Sequence, residues 1–223
     1  MKTISIAIDG PSGAGKSTIS KTVAKELGFT YIDTGAMYRA VALYALTQGM
    51  DTKNTDGALA LALDGVTIDI AYQDGAQRIY LNGGEVSEAI RTPKVSMGAS
   101  DVATVPAVRL KLVELQRALA KRQNVIMDGR DIGTYVLPDA DIKIYLTADV
   151  EDRAKRRFDE LSAKGTEVSF DEVLEDMKKR DLNDSTRDFA PLRRAEDAAL
   201  IDTTGASFAE SVDKILTYIK KQL

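Results

Sequence analysis

IDGPSGAGKST, residues Ile8 to Thr18, carries the pattern Gly10-x-x-x-x-Gly15-Lys16-Ser17 close to the front of the chain. Glycines at these spacings let successive backbone amides converge on phosphate oxygens. The expected nucleotide loop is therefore Gly10, Pro11, Ser12, Gly13, Ala14, Gly15, Lys16, Ser17 and Thr18, with a nucleoside triphosphate as its ligand. Lys16 is expected to reach the β- and γ-phosphates, and Ser17 to ligate Mg²⁺ at the start of a helix whose N-terminus favours negative charge. The loop states that a triphosphate binds and leaves open where its γ-phosphate goes.

The flanks of the loop set the fold. Ser5–Asp9 reads as a short apolar strand, and Lys16–Leu27 as a helix with Ile19, Val23 and Leu27 on one face and Gly28 as its stop. Thr30–Asp33 predicts a second strand, followed by a helix ending at Gly49. Asn124–Asp128, Asp141–Leu146 and Leu200–Asp202 predict further apolar strands, and Ser207–Gln222 a last amphipathic helix. Short apolar strands alternating with helices imply an α/β fold, a parallel sheet covered on both faces in three α/β/α layers. Sites in such folds lie at the carboxyl ends of strands, where Asp9, Asp33 and Asp128 stand. Val66–Ser87 departs from this rhythm. Val66, Ile68 and Ile70 alternate, Asp74-Gly75 predicts a turn, and alternation resumes through Ile79 and Leu81, a small antiparallel β insert.

Composition narrows the chemistry. The 223 residues suit one compact domain, and a net charge of −4 argues against a general nucleic-acid surface. With no Cys and no His, thiolate nucleophiles, imidazole bases and the usual zinc ligand sets are unavailable. Phosphoryl transfer needs little beyond Lys, Arg, hydroxyls, backbone amides and a hard cation. The N-terminal MKTISIAID enters a strand directly and is too short for a signal segment, and no stretch approaches membrane-spanning length. A cytoplasmic protein is expected, without membrane or nucleic-acid partners and acting as a monomer.

The acceptor follows from what is missing and what is repeated. A guanine-reading Asn-Lys-x-Asp tetrapeptide does not occur, which disfavours a GTP switch. Arg39, Arg130, Arg180 and Arg187 fall near the ends of successive strands, where forked guanidinium groups bind phosphates and offset transition-state charge. No obvious base stands out, which favours an acceptor that is already anionic, such as a nucleoside monophosphate. The base of that nucleotide stays open at this level, as do another small acceptor and an ATP-dependent switch. Arg153, Arg156 and Arg157 in DRAKRRFDELSAKG fit either a solvated helix face or a lid closing over the triphosphate, with Arg153 and Arg157 expected to reach ATP.

IDGPSGAGKST, YIDTGAMYRA, IRTPKVSMGAS, VPAVRLKLVELQR, IMDGRDIGT and KRDLNDSTRDFAPL, taken in this order, resemble the bacterial cytidylate kinases of the nucleoside monophosphate kinase group. The resemblance covers nearly the whole chain. It implies a P-loop NTPase-like core with a five-stranded parallel sheet, a monophosphate-binding region over 34–123 that includes the insert 66–87, and a helical lid over 150–184. It further implies CMP and dCMP as acceptors. Thr34 and Arg39 would hold the acceptor phosphate, with Thr34 replacing the Ser of some relatives and keeping its hydroxyl. Ser100 and Arg109 would read the cytosine edge. Arg130 and Asp131 would lie between phosphates and sugar, and Arg180, Asp184 and Arg187 would contact both. Lys16, Arg39, Arg130, Arg180 and Arg187 form the implied catalytic set.

Overall fold

A computed structural model describes residues 3–53, 57–73, 76–163 and 165–223. In chain order it gives β1 (Ser5–Asp9), α1 (Lys16–Leu27), β2 (Thr30–Asp33), α2 (Thr34–Thr47) and α3 (Ala58–Ala62). β3 (Ile68–Gln73), β4 (Ala76–Leu81) and β5 (Gly84–Glu85) follow, then α4 (Pro93–Val102) and α5 (Pro106–Ala120). The remainder holds β6 (Val125–Gly129), β7 (Ile142–Thr147), α6 (Val150–Ala163), α7 (Phe170–Thr186), β8 (Ala199–Asp202) and α8 (Phe208–Gln222). The chain divides into two units, one comprising residues up to Tyr31 together with Arg122–Leu223, the other Ile32–Lys121.

The first unit is built on the five-stranded sheet, ordered β2-β6-β1-β7-β8. β1 lies at its centre, parallel to β6 through Ile6↔Ile126 and to β7 through Ile8↔Ile144. Ile6, Ala7 and Ile8 are all fully buried, as expected of a central strand covered on both faces. Ile19 and Val23 of α1 pack with Ile215 and Ile219 of α8 around Ile126, Ile144 and Leu146. Gly28 ends α1 in a left-handed conformation (φ 67°), its N–H turned back to the α1 carbonyls. Capping boxes start α7 (Ser169 with Glu172) and α8 (Ser207 with Glu210).

The second unit packs α2, α4, α5 and the insert around Met37, Val41, Leu59, Ile79, Ile90 and Leu112. α2 ends at Thr47, two residues before the expected Gly49, which follows the helix with φ 71°. The insert is antiparallel as expected, with Ile68 opposite Leu81 and Ile70 opposite Ile79. It holds three strands, not two, because Asn82 and Gly83 turn the chain back and β5 pairs with β4. Two residues are too short for alternation to reveal a strand. The turn expected at Asp74-Gly75 lies outside the described residues. Among the described residues, no helix is long and apolar enough to cross a membrane.

Candidate active site

The nucleotide loop sits between β1 and α1, and its geometry explains its glycines. A Cβ on Gly10 would come within 1.9 Å of the Leu146 carbonyl oxygen, so the loop passes against β7 only without a side chain. A Cβ on Gly13 would stand 2.7 Å from Met177 Cε of α7, at a φ of +72°. Lys16 is buried at the start of α1 and its Nζ donates to the Pro11 carbonyl at 2.6 Å, folding the side chain across the loop. Burial and then the neighbouring Arg130 push the Lys16 ammonium well below its usual range, against the pull of Asp128 and Asp184. A buried amine in that state gains most from an added anion.

Asp128, at the end of β6, meets the loop directly. Its Oδ2 accepts the Ser17 hydroxyl at 2.7 Å and its Oδ1 accepts the Tyr31 hydroxyl at 2.8 Å. A hydroxyl and a carboxylate oxygen side by side suit Mg²⁺, which takes few protein oxygens and completes its shell with water and phosphate. Among the described residues, no group of three or more His, Cys, Asp or Glu side chains is placed to hold a metal ion. Asp9 has another task. Its two oxygens accept the N–H groups of Ile132 and Gly133 at 2.8 and 2.7 Å, fixing the turn that follows Arg130 and Asp131. Burial pushes the Asp9 carboxyl up to about 7, although these two N–H donors pull the other way.

Of the four arginines singled out from sequence, Arg130, Arg180 and Arg187 belong to the first unit and Arg39 to the second. Arg130 Nε donates to Asp184 Oδ2 at 2.7 Å, and Arg187 Nη2 donates to Asp131 Oδ1 at 3.2 Å with both side chains nearly buried (5% and 6% exposed). Burial works against ionised Asp184, but the guanidinium groups of Arg130, Arg180 and Arg187 more than offset it and hold the carboxyl below its usual range. Arg180 and Arg130 also bear on Lys16, so donor lysine and arginines form one electrostatic group.

The helix arginines divide. Arg153 is buried, its Nη1 donating to the Ser12 carbonyl at 2.7 Å and to Asp181 Oδ2 at 2.6 Å, its Nε to the Ala148 carbonyl at 2.9 Å. Asp181 Oδ1 in turn accepts the Ser12 N–H at 3.2 Å. Arg153 therefore grips the backbone of the loop expected to hold the triphosphate. Arg156 donates to Asp152 and the Thr203 carbonyl, and Arg157 pairs with Glu160 at 2.8 Å on the surface.

The second unit carries the remaining site residues. Asp33 caps α2, its Oδ1 accepting the Ala36 N–H at 2.9 Å and its Oδ2 pairing with Arg39 at 2.8 Å. A Cβ on Gly35 would stand 3.2 Å from Arg39 Nη1, so the glycine leaves room for the guanidinium to fold back. Thr34 is buried at the start of α2. Arg109 of α5 is 1% exposed, donates to the Ala103 carbonyl at 3.3 Å and lies 5.6 Å over the Tyr38 ring. Ser100 Oγ of α4 is buried with no hydrogen-bond partner among the described residues. A buried hydroxyl left in that state is costly unless a ligand satisfies it. Sequence reasoning did not assign Tyr31, Asp181 or the bond between Ser17 and Asp128; of these, only the position of Asp128 at a strand end was noted.

A family model described as cytidylate kinase matches residues 6–221. The chain is 55% identical over 221 residues to the cytidylate kinase of Caldicellulosiruptor saccharolyticus, covering 99% of this chain and 97% of that one. It is 46% identical over 223 residues to that of Halalkalibacterium halodurans, covering both chains in full. An uncharacterized protein from Eubacterium ventriosum of solved structure aligns over 99% of each chain with a TM-score of 0.57 at 16% identity, a likeness of fold alone.

Proposed function

The chain belongs to the cytidylate kinase family, and from that premise we propose that it transfers the γ-phosphoryl group of Mg·ATP to CMP or dCMP, giving ADP and CDP or dCDP. The match of the family model over residues 6–221 carries this reading. The nucleotide loop and its lysine supply the chemistry the reaction needs.

An oxygen of the acceptor monophosphate attacks the γ-phosphorus while the bond to the β-phosphate oxygen breaks. Both partners are anions, so the chain's work is to align them and offset their repulsion. The loop amides and Lys16 hold the donor phosphates. Ser17 and Asp128 would hold Mg²⁺, which when bound draws charge from the β- and γ-phosphates. Arg130, Arg180 and Arg187 neutralise charge on the transferring group, with Asp184 and Asp131 setting the directions of Arg130 and Arg187. Thr34 and Arg39 bind the acceptor phosphate. Ser100 and Arg109 read the base, a role supported by the buried, unsatisfied Ser100 hydroxyl. The working molecule is a cytoplasmic monomer, which sedimentation of the purified chain checks.

The test is ADP formation with Mg·ATP against CMP, dCMP, UMP, AMP and GMP in turn, with the nucleoside diphosphate product identified. Rapid turnover with CMP and dCMP is the expected result. Turnover favouring another monophosphate would overturn the roles of Ser100 and Arg109. ATP loss without a diphosphate product from the acceptor would overturn kinase activity itself.

A further inference from the structure

Gln77, Ile79 and Leu81 alternate onto one face of β4. Ile79 is 2% exposed in the core of the second unit and Leu81 packs against that core. Gln77 continues the same stripe but carries an amide, and the amide is engaged. Its Oε1 accepts the Asp33 N–H at 2.8 Å, and its Nε2 donates to the Asp33 carbonyl at 3.3 Å. A primary amide offers a carbonyl and an N–H side by side, as a peptide group does. Gln77 thus gives Asp33 the pair of bonds that an adjoining strand would give. An apolar residue here would leave both backbone groups without these partners.

Asp33 is where β2 passes into α2. Its carboxylate caps that helix through Ala36 and holds Arg39 at 2.8 Å. Any rotation of the Asp33 peptide turns both carboxylate bonds with it. We propose that Gln77 is a positioning residue for the acceptor, locking the Asp33 backbone and through it the Arg39 guanidinium that receives the monophosphate. The insert then contributes to catalysis through one amide, without touching the substrate. This inference rests on the reading of Arg39 as a ligand of the acceptor phosphate, and the experiment separates the two.

Four variants of the full chain are compared by steady-state kinetics with CMP and ATP varied independently: Gln77→Ala, Gln77→Glu, Arg39→Ala and the Gln77→Ala/Arg39→Ala pair. Gln77→Ala removes both bonds. Gln77→Glu keeps an acceptor for the Asp33 N–H but sets a carboxylate oxygen against its carbonyl. Both are expected to raise KM for CMP about three- to tenfold, the range of one or two hydrogen bonds. KM for ATP and kcat stay within about twofold, which also shows that the variants are folded. In the Arg39→Ala background the Gln77 substitution adds nothing, since its effect passes through Arg39. An unchanged KM for CMP in both Gln77 variants, alongside a raised one in Arg39→Ala, would overturn the inference and leave the Arg39 reading standing. Full additivity in the pair would also overturn it. An unchanged KM for CMP in Arg39→Ala would remove the reading on which it rests.

Discussion

A methyl group at Gly10 would meet the Leu146 carbonyl oxygen at 1.9 Å, a separation no rotamer relieves because both sides are backbone. Gly10→Ala is expected to cost about 3 kcal/mol or more, since the loop must lift off β7. Calorimetry should show the melting temperature lowered by roughly 10 °C and binding of an ATP analogue lost. Asp184 offers a prediction in pH. Its carboxyl lies below its ordinary range in the fold, so the stability it contributes is present above about pH 4 and lost as pH falls further. Denaturant unfolding of wild type and Asp184→Asn should differ most near neutrality, the difference shrinking as pH falls below about 4. The loop residues were legible because their chemistry is set by neighbours along the chain. The Arg130–Asp184 pair was not, because its members stand 54 positions apart and composition says nothing of which acid each arginine meets.

α7 shows how an element acquires a task its own sequence does not announce. Met177 and Asp181 lie one turn apart on the helix, one against Gly13 and the other on the Ser12 N–H. Arg153 of α6 closes the clasp through Asp181 and the Ser12 carbonyl. The run DRAKRRFDELSAKG identified a charged helix, but a buried arginine and a solvated one look alike in it. Arg153→Lys tests the clasp: a single ammonium cannot reach the Ser12, Asp181 and Ala148 oxygens together. KM for ATP is expected to rise about tenfold with KM for CMP unchanged, and Lys155→Arg, on an exposed residue paired with Asp159, serves as a surface control near wild type.

At the scale of the whole chain, the proposed donor residues fall in the unit that holds Arg122–Leu223 and the proposed base-reading residues in Ile32–Lys121. Substitutions should separate accordingly. Arg109→Ala is expected to weaken CMP binding about tenfold or more while leaving ATP affinity unaltered, as titration calorimetry of each nucleotide would report. Arg130→Ala is expected to lower kcat at saturating substrates by roughly a hundredfold, because its charge matters most as the phosphoryl group moves. The sheet was readable from alternating apolar strands and helices, each of which declares itself locally. The contribution of the insert was not, since periodicity places Gln77 on a face and says nothing of the backbone it meets. The chain also has eight tyrosines and no tryptophan, so its near-ultraviolet emission is phenolic. One of those phenols, Tyr31, donates to the same Asp128 carboxylate that meets Ser17. A phenol bonded to a carboxylate fluoresces weakly, and a cation drawing on that carboxylate loosens the bond. On the proposed reading of Asp128 as a holder of Mg²⁺, Tyr31 is an optical reporter of Mg·ATP loading: emission should rise on binding, and Tyr31→Phe should shrink the change while the kinase still turns over.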